Sequence, residues 1–287
     1  LFEQDKIVKK LFSPLVVVVL SIAFFGVWYS YFSPENKNLR VTYLDVGQGD
    51  STLIQFPDGK VALIDGGPDK KVLEDLGRKL PFYKRGIDVV FLSHPHADHM
   101  VGLIYVLQRY KVGRVVVTEG IHETPEYREF IDIVKNKNIP MTLAREGVAF
   151  DFSGGVKMNT LYPHTGISSD NPNDLSEVLL LTFRNNEFLF TGDLEKDATE
   201  SMLSRSKKLR VDVVKVPHHG SKDAYDENLY AMLKPEVAVI SVGENKYGHP
   251  SLMTLSFFEK IGIKYFRTDK EGDISLFSDG NNVIRVE

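Results

Sequence analysis

Six of the eight histidines in this chain fall in three short loops. His94, His96 and His99 sit in Ser93-His94-Pro95-His96-Ala97-Asp98-His99, His218 and His219 in Val216-Pro217-His218-His219-Gly220-Ser221, and His249 in Tyr247-Gly248-His249-Pro250. Imidazole nitrogens beside carboxylate oxygens suit Zn2+ or Mn2+. Each loop follows a predicted strand, and strand ends are where α/β proteins keep their chemistry. On a turn running into a helix, the side chains of the first loop can converge from several directions and serve two ions instead of one. The chain has no Cys, so any metal site must be built from His, Asp and Glu, and thiolate nucleophiles, iron–sulfur clusters and disulfides are excluded.

The elements that must position these loops alternate between strand and helix patterns. Strands are expected over residues 41–46, 51–56, 61–64, 87–92, 114–118, 157–161, 177–183, 187–190, 211–216, 237–242, 264–267 and 274–277. Helices are expected near 70–80, 98–110, 125–136, 195–205 and 252–261. Quick hairpins followed by crossovers argue for mixed sheets covered by helices rather than one parallel sheet. The chain has 287 residues, 43% apolar and 26% charged, enough for a packed core. Its 35 Lys and Arg against 39 Asp and Glu leave a net charge of −4, so it is not a broadly basic nucleic-acid binder.

Residues 15–32, LVVVVLSIAFFGVWYSYF, carry no charge and are long enough to cross a bilayer. Trp28, Tyr29 and Tyr31 gather at the far end, where amphipathic rings favour the interface, and Lys6, Lys9 and Lys10 precede the run. The expectation is a cytoplasmic segment over 1–14, a single transmembrane helix over 15–32, a polar linker over 33–38 and an extracytoplasmic domain over 39–287. The chain begins with Leu1, which hints at a piece of a longer protein.

HPHADH resembles the HxHxDH motif of the metallo-β-lactamase superfamily, and Phe190-Thr191-Gly192-Asp193 and VPHHGS resemble its later marks. More narrowly, LDVGQGDS (44–51), LIDGG (63–67), VPHHGS and YGHP are similar to the C-terminal domain of ComEC-type DNA-uptake proteins of competent bacteria. The resemblance implies a four-layer αββα sandwich with two mixed sheets, preceded by the membrane helix. It implies that His94 and His96 form one metal half-site, that Asp98 and His99 form the other, and that Asp193 bridges them. His219, or its neighbour His218, completes the second half-site, the Pro-x-His-Gly pattern favouring His219. The family usually supplies a further His before the Thr-Gly-Asp turn. SDNPNDLSEV has none, so the first half-site is one ligand short, which leaves room for Mn2+ or for a single ion.

Such a site would activate water for hydrolysis at neutral pH. Asp98 would hold metal and orient the nucleophile; His249 would bind a phosphate oxygen, protonate the departing oxygen, or act as a further ligand. Asp50 and Asp65, in Gly-rich turns at strand ends, are expected as acceptors behind ligating imidazoles, with Ser221 beside them. Lys222 and Lys246 lie next to the His loops in sequence and are candidates for phosphate contacts. The run Arg205, Lys207, Lys208, Arg210 reads as a solvated face. The function expected is a membrane-anchored phosphodiesterase or nuclease acting on DNA in uptake, beside a channel domain. The alternatives are a hydrolase of a small ester, lactone or phosphodiester, and a non-catalytic domain that binds DNA or helps to assemble a channel.

Overall fold

The β-branched and aromatic runs between Leu39 and Val286 pair into two large sheets whose inner faces are almost wholly apolar, and Gly86–Ile87 pairs with Lys111–Val112 as a small third. The structure, a computed structural model, describes residues 14–32, 38–119, 122–206 and 208–286, with the side chains of all but 29–32. In chain order the elements are α1 (Pro14–Phe32), β1 (Leu39–Tyr43), β2 (Thr52–Gln55), β3 (Val61–Ile64), α2 (Lys71–Lys79), β4 (Gly86–Ile87), β5 (Val89–Leu92), α3 (Ala97–Arg109), β6 (Lys111–Val112), β7 (Val115–Val117), α4 (Pro125–Asn136), β8 (Met141–Leu143), β9 (Ala149–Phe152) and β10 (Val156–Tyr162). After a 3-10 turn (Pro172–Leu175) come β11 (Val178–Phe183), β12 (Asn186–Phe190), α5 (Lys196–Arg205), β13 (Val213–Lys215), a second 3-10 turn (Pro217–Gly220), α6 (Glu227–Leu233), β14 (Val237–Ile240), α7 (Leu252–Ile261), β15 (Lys264–Arg267), α8 (Thr268–Glu271), β16 (Ile274–Ser278) and β17 (Val283–Val286).

One sheet runs β17-β16-β1-β2-β3-β5-β7-β8 and the other β15-β14-β13-β12-β11-β10-β9. Each is antiparallel in one half and parallel in the other, the parallel pairs being β3–β5–β7–β8 and β12–β13–β14–β15. Their inner faces meet in a core that holds Tyr43, Ile54 and Phe91 of one sheet and Leu181, Phe188 and Val213 of the other, all fully buried. The outer face of the first sheet packs on α2, α3 and α4 through Leu76, Leu103 and Phe130. That of the second packs on α5, α6 and α7 through Met202, Leu229 and Phe258. These three interfaces give the four-layer order helix, sheet, sheet, helix, in line with the expected αββα architecture and mixed sheets.

Residues 1–37 and 38–287 are separate units. In the first, α1 is a 19-residue helix opened by Pro14, which suits a first helical position because it lacks an N–H. Leu15, Leu20, Ile22, Phe24, Phe25 and Trp28 are exposed along it. Among the described residues no helix is long and apolar enough to cross a membrane. Lys6, Lys9, Lys10, linker residues 33–37 and the side chains of Tyr29 and Tyr31 lie outside the described residues.

On α2, Asp75 is fully buried beside Arg78 and near Asp273, which Lys79 holds at 3.0 Å. Burial, and after it the Asp273 charge, push the Asp75 carboxyl up to about 6. The native state therefore binds this proton more tightly than the unfolded chain, where the value is about 3.9. Stability contributed by the protonated form is lost as pH rises through about 4 to 6, a cost of about 3 kcal/mol at most. Asp75→Asn should raise the melting temperature at pH 7.5 by a few degrees, about 2–4 °C per kcal/mol. It should also flatten the decline between pH 4 and 6, as read by thermal melts across pH.

Candidate metal centre

Every side chain in the site leaves the C-terminal end of a strand. Asp50 follows β1, Asp65 follows β3, the His94–His99 loop follows β5, Asp193 follows β12, His218 and His219 follow β13, and His249 follows β14. Close backbone contacts fix the first loop. Asp50 N–H donates to the Asp98 carbonyl (3.1 Å), Gly66 N–H to the His99 carbonyl (2.7 Å) and Gly102 N–H to the Gly67 carbonyl (2.9 Å). Only glycine permits this approach: a Cβ on Gly49 would lie 2.2 Å from the Asp98 oxygen, and one on Gly102 1.8 Å from the Gly66 oxygen.

The imidazoles are oriented from behind. Asp65 accepts from Ser93 N–H (2.8 Å), from Ser93 Oγ–H (2.7 Å) and from His99 Nδ1–H (2.8 Å). His219 Nδ1–H donates to the Ser241 carbonyl at 2.8 Å. With both Nδ1 atoms occupied as donors, Nε2 is the nitrogen each ring has left to offer a metal once its proton is displaced. Both Nε2 atoms are buried without a hydrogen-bond partner. They face Asp193 Oδ2 at 3.2 Å (His99) and 3.4 Å (His219), and His219 Nε2 lies 3.4 Å from Asp98 Oδ2. Ligand atoms about 2.1 Å from a tetrahedral ion lie about 3.4 Å apart. The ligand atoms of Asp98, His99, Asp193 and His219 all fall within 4.8 Å of one another, so these four fit one divalent ion.

The second group is looser. His94 Nε2 approaches His96 Nδ1 at 3.0 Å and Asp193 Oδ2 at 4.0 Å, and His218 Nε2 stands 3.7 Å from the same oxygen. The Asp193 carboxylate thus faces both groups. Burial alone would raise the Asp193 carboxyl, but His219 and His99 beside it hold it well below the usual carboxylate range. Burial lowers His94 well below the ordinary imidazole value, which keeps it neutral and ready to ligate. Burial would also lower His99 and His219, but the surrounding carboxylates, Asp193 first, carry both well above it. Ion uptake by that pair must therefore displace protons.

Beneath the site lies Lys215, which the sequence reading passed over. It is buried, pairs with Asp50, donates to the Gly192 carbonyl at 2.9 Å and stands 3.6 Å from Asp193 Oδ1. A lysine at the end of the valine-rich β13 was the available signal, since buried parallel strands read as continuous apolar runs. Asp50 Oδ1 also lies 3.3 Å from His219 Nδ1, whose N–H is given to the Ser241 carbonyl. His218 and His219 are consecutive left-handed residues, with φ of 46° and 53°. Such backbone costs about 1–2 kcal/mol per residue and persists where surrounding structure demands it.

The site opens into a cleft of about 750 Å3 lined by His96, Asp98, Asn173, Asp193, Lys246 and His249 among others. Asn245 staples one wall: its Nδ2 donates to the carbonyls of Gly243 (2.9 Å) and His249 (2.8 Å), and its Oδ1 accepts from Tyr247 N–H and His249 N–H (3.1 Å each). The His249 ring lies 5.3 Å from that of His218. Lys246 and Tyr247, the latter 67% exposed, stand at the rim. Lys222 is exposed and is not among the residues that line the cleft, and Ser221 Oγ accepts Asp223 N–H at 3.1 Å. Ser221 N–H donates to the His218 carbonyl at 2.8 Å. Of the basic run, Arg205 pairs with Glu146 at 2.9 Å, Lys208 and Arg210 are exposed, and Lys207 lies outside the described residues.

The family model of the metallo-beta-lactamase superfamily matches residues 44–244. ComE operon protein 3 of Bacillus subtilis (strain 168) is 27% identical, covering 93% of this chain and 36% of its own length. Recombination protein 2 of Haemophilus influenzae is 28% identical, covering 84% of this chain and 29% of its own. The chain spans about a third of the length of the curated relatives it matches. Among solved structures, the metallo-beta-lactamase fold protein YhfI from Bacillus subtilis is similar with a TM-score of 0.54 and 14% identity, covering 84% of this chain and 99% of that one.

Proposed function

This chain belongs to the metallo-beta-lactamase superfamily, and from that premise we propose that it is a divalent-metal-dependent phosphodiesterase that cleaves DNA during uptake, tethered to the cell membrane by residues 15–32. The observation that carries the reading is the Asp98–His99–Asp193–His219 set, with two buried imidazole nitrogens that lack a partner and face one carboxylate oxygen. The donor set suits Zn2+ or Mn2+. Held there, one or two such ions would polarise a phosphoryl oxygen and provide a nucleophilic hydroxide at neutral pH.

The chain's own residues do the positioning. Asp193 shares its carboxylate between the two imidazole groups, and Asp65 and Ser241 keep the imidazoles of His99 and His219 aimed at it. Asp98, 34% exposed, is the acid of the set that reaches toward the cleft and can orient an attacking oxygen. Burial, with His218 and His219 next to it, lowers His249 below the ordinary value, so it is neutral at pH 7 and donates an N–H to a phosphate oxygen. Lys246 supplies a cation and Tyr247 a stacking face at the rim, a pairing that tracks single-stranded nucleic acid. The names of two relatives, a ComE operon protein and a recombination protein, favour DNA over a small ester. The exposed apolar α1 side chains support the tether. Lys6, Lys9 and Lys10 favour a cytoplasmic N-terminus, with residues 39–287 outside beside a channel domain.

The test is hydrolysis by the chain in detergent micelles with Mn2+ or Zn2+, comparing single-stranded DNA with bis-p-nitrophenyl phosphate. Asp98→Asn should lower DNA cleavage about 10^3-fold, roughly 4 kcal/mol of barrier, with an unchanged circular-dichroism spectrum. Wild-type rates in that variant would refute the scheme. Turnover of the small diester with DNA left intact would move the substrate to a small phosphodiester. Protease added to intact cells should reach the domain, and full protection would reverse the orientation.

A further inference from the structure

The end of the first sheet opposite the metal centre carries charge and apolar surface that the chemistry above does not use. β5, β7 and β8 run parallel, so the connections that enter them from α2, α3 and α4 gather at one end of the sheet. Residues 80–85, 109–114 and 135–140 read LPFYKR, RYKVGR and KNKNIP, with seven lysines and arginines and no acid. Hydrogen bonds join them into one surface: Lys111 N–H donates to the Arg85 carbonyl (3.0 Å), Lys137 Nζ to the Leu107 carbonyl (2.6 Å) and Val115 N–H to the Pro140 carbonyl (2.9 Å). Arg85, Arg109, Lys111, Arg114 and Lys135 are exposed and, among the described residues, pair with no carboxylate. Asp58 and Asp88, acids at the same strand ends, are already paired with Lys60 (3.3 Å) and Lys84 (3.6 Å). Phe82 and Tyr83 stand on this surface. Lys84 N–H donates to the Pro81 carbonyl (2.8 Å), which closes a tight turn with the two rings at its tip, and Lys84 Nζ holds the Gly59 carbonyl at 2.9 Å. Turn tips favour Gly, Asn, Asp and Ser. Here Phe82 is 86% exposed and Tyr83 63%, their rings in edge contact at 5.5 Å.

We propose that this end of the domain rests on an anionic phospholipid surface, with Phe82 and Tyr83 set among the headgroups and the basic connections against the lipid phosphates. The inference rests on the membrane tether proposed above and goes beyond it, since it names the face that meets the bilayer. β1 and β3 are both antiparallel to β2, and β3 is parallel to β5, so Leu39 opens β1 at this same end. Residues 33–38 separate Leu39 from α1 in the sequence, and six extended residues reach at most about 22 Å. Aromatic rings favour the membrane–water interface, and Lys and Arg gather there against anionic lipid. With a net charge of −4 for the whole chain, the basic end is a local feature and not a property of the surface at large. Rings beside cations also suit single-stranded nucleic acid, but the metal centre that would cut it lies at the C-terminal ends of the same strands, away from this patch. Seated on the bilayer in this way, the domain turns its cleft outward, toward substrate arriving from the medium.

The chain has no Cys, so one introduced cysteine takes a fluorescent label at a single place. The full chain is reconstituted into vesicles of phosphatidylcholine with or without phosphatidylglycerol, both carrying nitroxide-labelled lipid as quencher. Labels go to Pro81→Cys beside the rings, to Glu244→Cys on the exposed rim of the cleft and to Leu20→Cys on α1. In the phosphatidylglycerol vesicles the Pro81→Cys label should be quenched about 3-fold more than the Glu244→Cys label, and salt at about 0.5 M should remove most of the difference. Adding Phe82→Ser with Tyr83→Ser, or Arg85→Gln with Lys111→Gln, should bring it down to the Glu244→Cys level. Circular-dichroism melts check that these surface variants fold as the parent does. Equal quenching at Pro81→Cys and Glu244→Cys, with Leu20→Cys strongly quenched, would overturn this inference while the tether stands. Quenching at Pro81→Cys that the ring and charge variants leave unchanged would overturn it too, since the tether alone would then explain the proximity. A Pro81→Cys label that responds to a single-stranded oligonucleotide and not to lipid would make the patch a nucleic-acid track instead. An unquenched Leu20→Cys label would overturn the tether reading and this inference with it.

Discussion

Asp193→Asn should abolish hydrolysis, by at least about 10^3-fold, and should release metal from both halves of the site together. The reason is the crowding at one oxygen. Asp193 Oδ2 is approached by His94 at 4.0 Å, His99 at 3.2 Å, His218 at 3.7 Å and His219 at 3.4 Å. An amide keeps the volume but removes the charge that offsets two cations, and its NH2 face would oppose them. The backbone at this position is secured independently, since Asp193 N–H donates to Ser176 Oγ at 3.1 Å, so the variant should fold. Elemental analysis beside a hydrolysis assay checks both halves of the expectation. Retention of two ions at wild-type affinity would show that the carboxylate bridges nothing. The contrast with Asp98→Asn is diagnostic, because Asp98 belongs only to the tight set, and its loss should leave the looser ion in place.

Gly102→Ala should be among the most destabilising single-methyl additions in the molecule, at more than about 3 kcal/mol. The new Cβ would meet the Gly66 carbonyl oxygen at 1.8 Å, the Gly66 carbon at 2.6 Å and the Asp69 oxygen at 2.8 Å, all backbone atoms that cannot swing aside. For α3 to withdraw, the Gly66–His99 and Gly102–Gly67 hydrogen bonds must break, and His99 leaves its seat with them. The expected result is a melting temperature lower by about 6–12 °C, together with weakened ion binding in whatever still folds. Gly77→Ala is the matched control. This exposed glycine in α2 has nothing within 4 Å of the added methyl, so helix propensity should stabilise the protein by about 1 kcal/mol. Equal melts for the two variants would show that the close approach of α3 is not what seats the motif.

The ligand loops were legible in the sequence because metal chemistry compresses rare residue types into short windows, as in HPHADH, and because strand patterns such as VVFL announce the ends on which they sit. The helix over Pro125–Asn136 was equally readable, with Thr124 accepting from Tyr127 N–H as its cap and Pro125 at its first position. Several elements were missed for physical reasons. The edge strand Ala149–Phe152 alternates between exposed and half-buried positions and carries no continuous apolar run. Helix Glu227–Leu233 has seven residues, too few to display a 3.6-residue period. Lys215 was hidden because its role depends on Asp50, which lies far away in sequence and is brought beside it only when the two sheets stack.

The parting of the ligands between the two sheets has a mechanical consequence. His94, His96, Asp98 and His99 hang from one sheet, and Asp193, His218 and His219 from the other. Inter-sheet cohesion elsewhere combines apolar side chains with a few directional bonds, such as Ser278 Oγ–H to Asn186 Oδ1 at 2.6 Å and Glu177 N–H to the Ser93 carbonyl at 2.8 Å. An ion held by ligands from both sheets would act as a rivet through the sandwich and would resist shear at the edge where the layers also admit substrate. Chelation should therefore loosen that edge before it unfolds the whole, so that proteolytic cuts in the cleft loops come ahead of global melting.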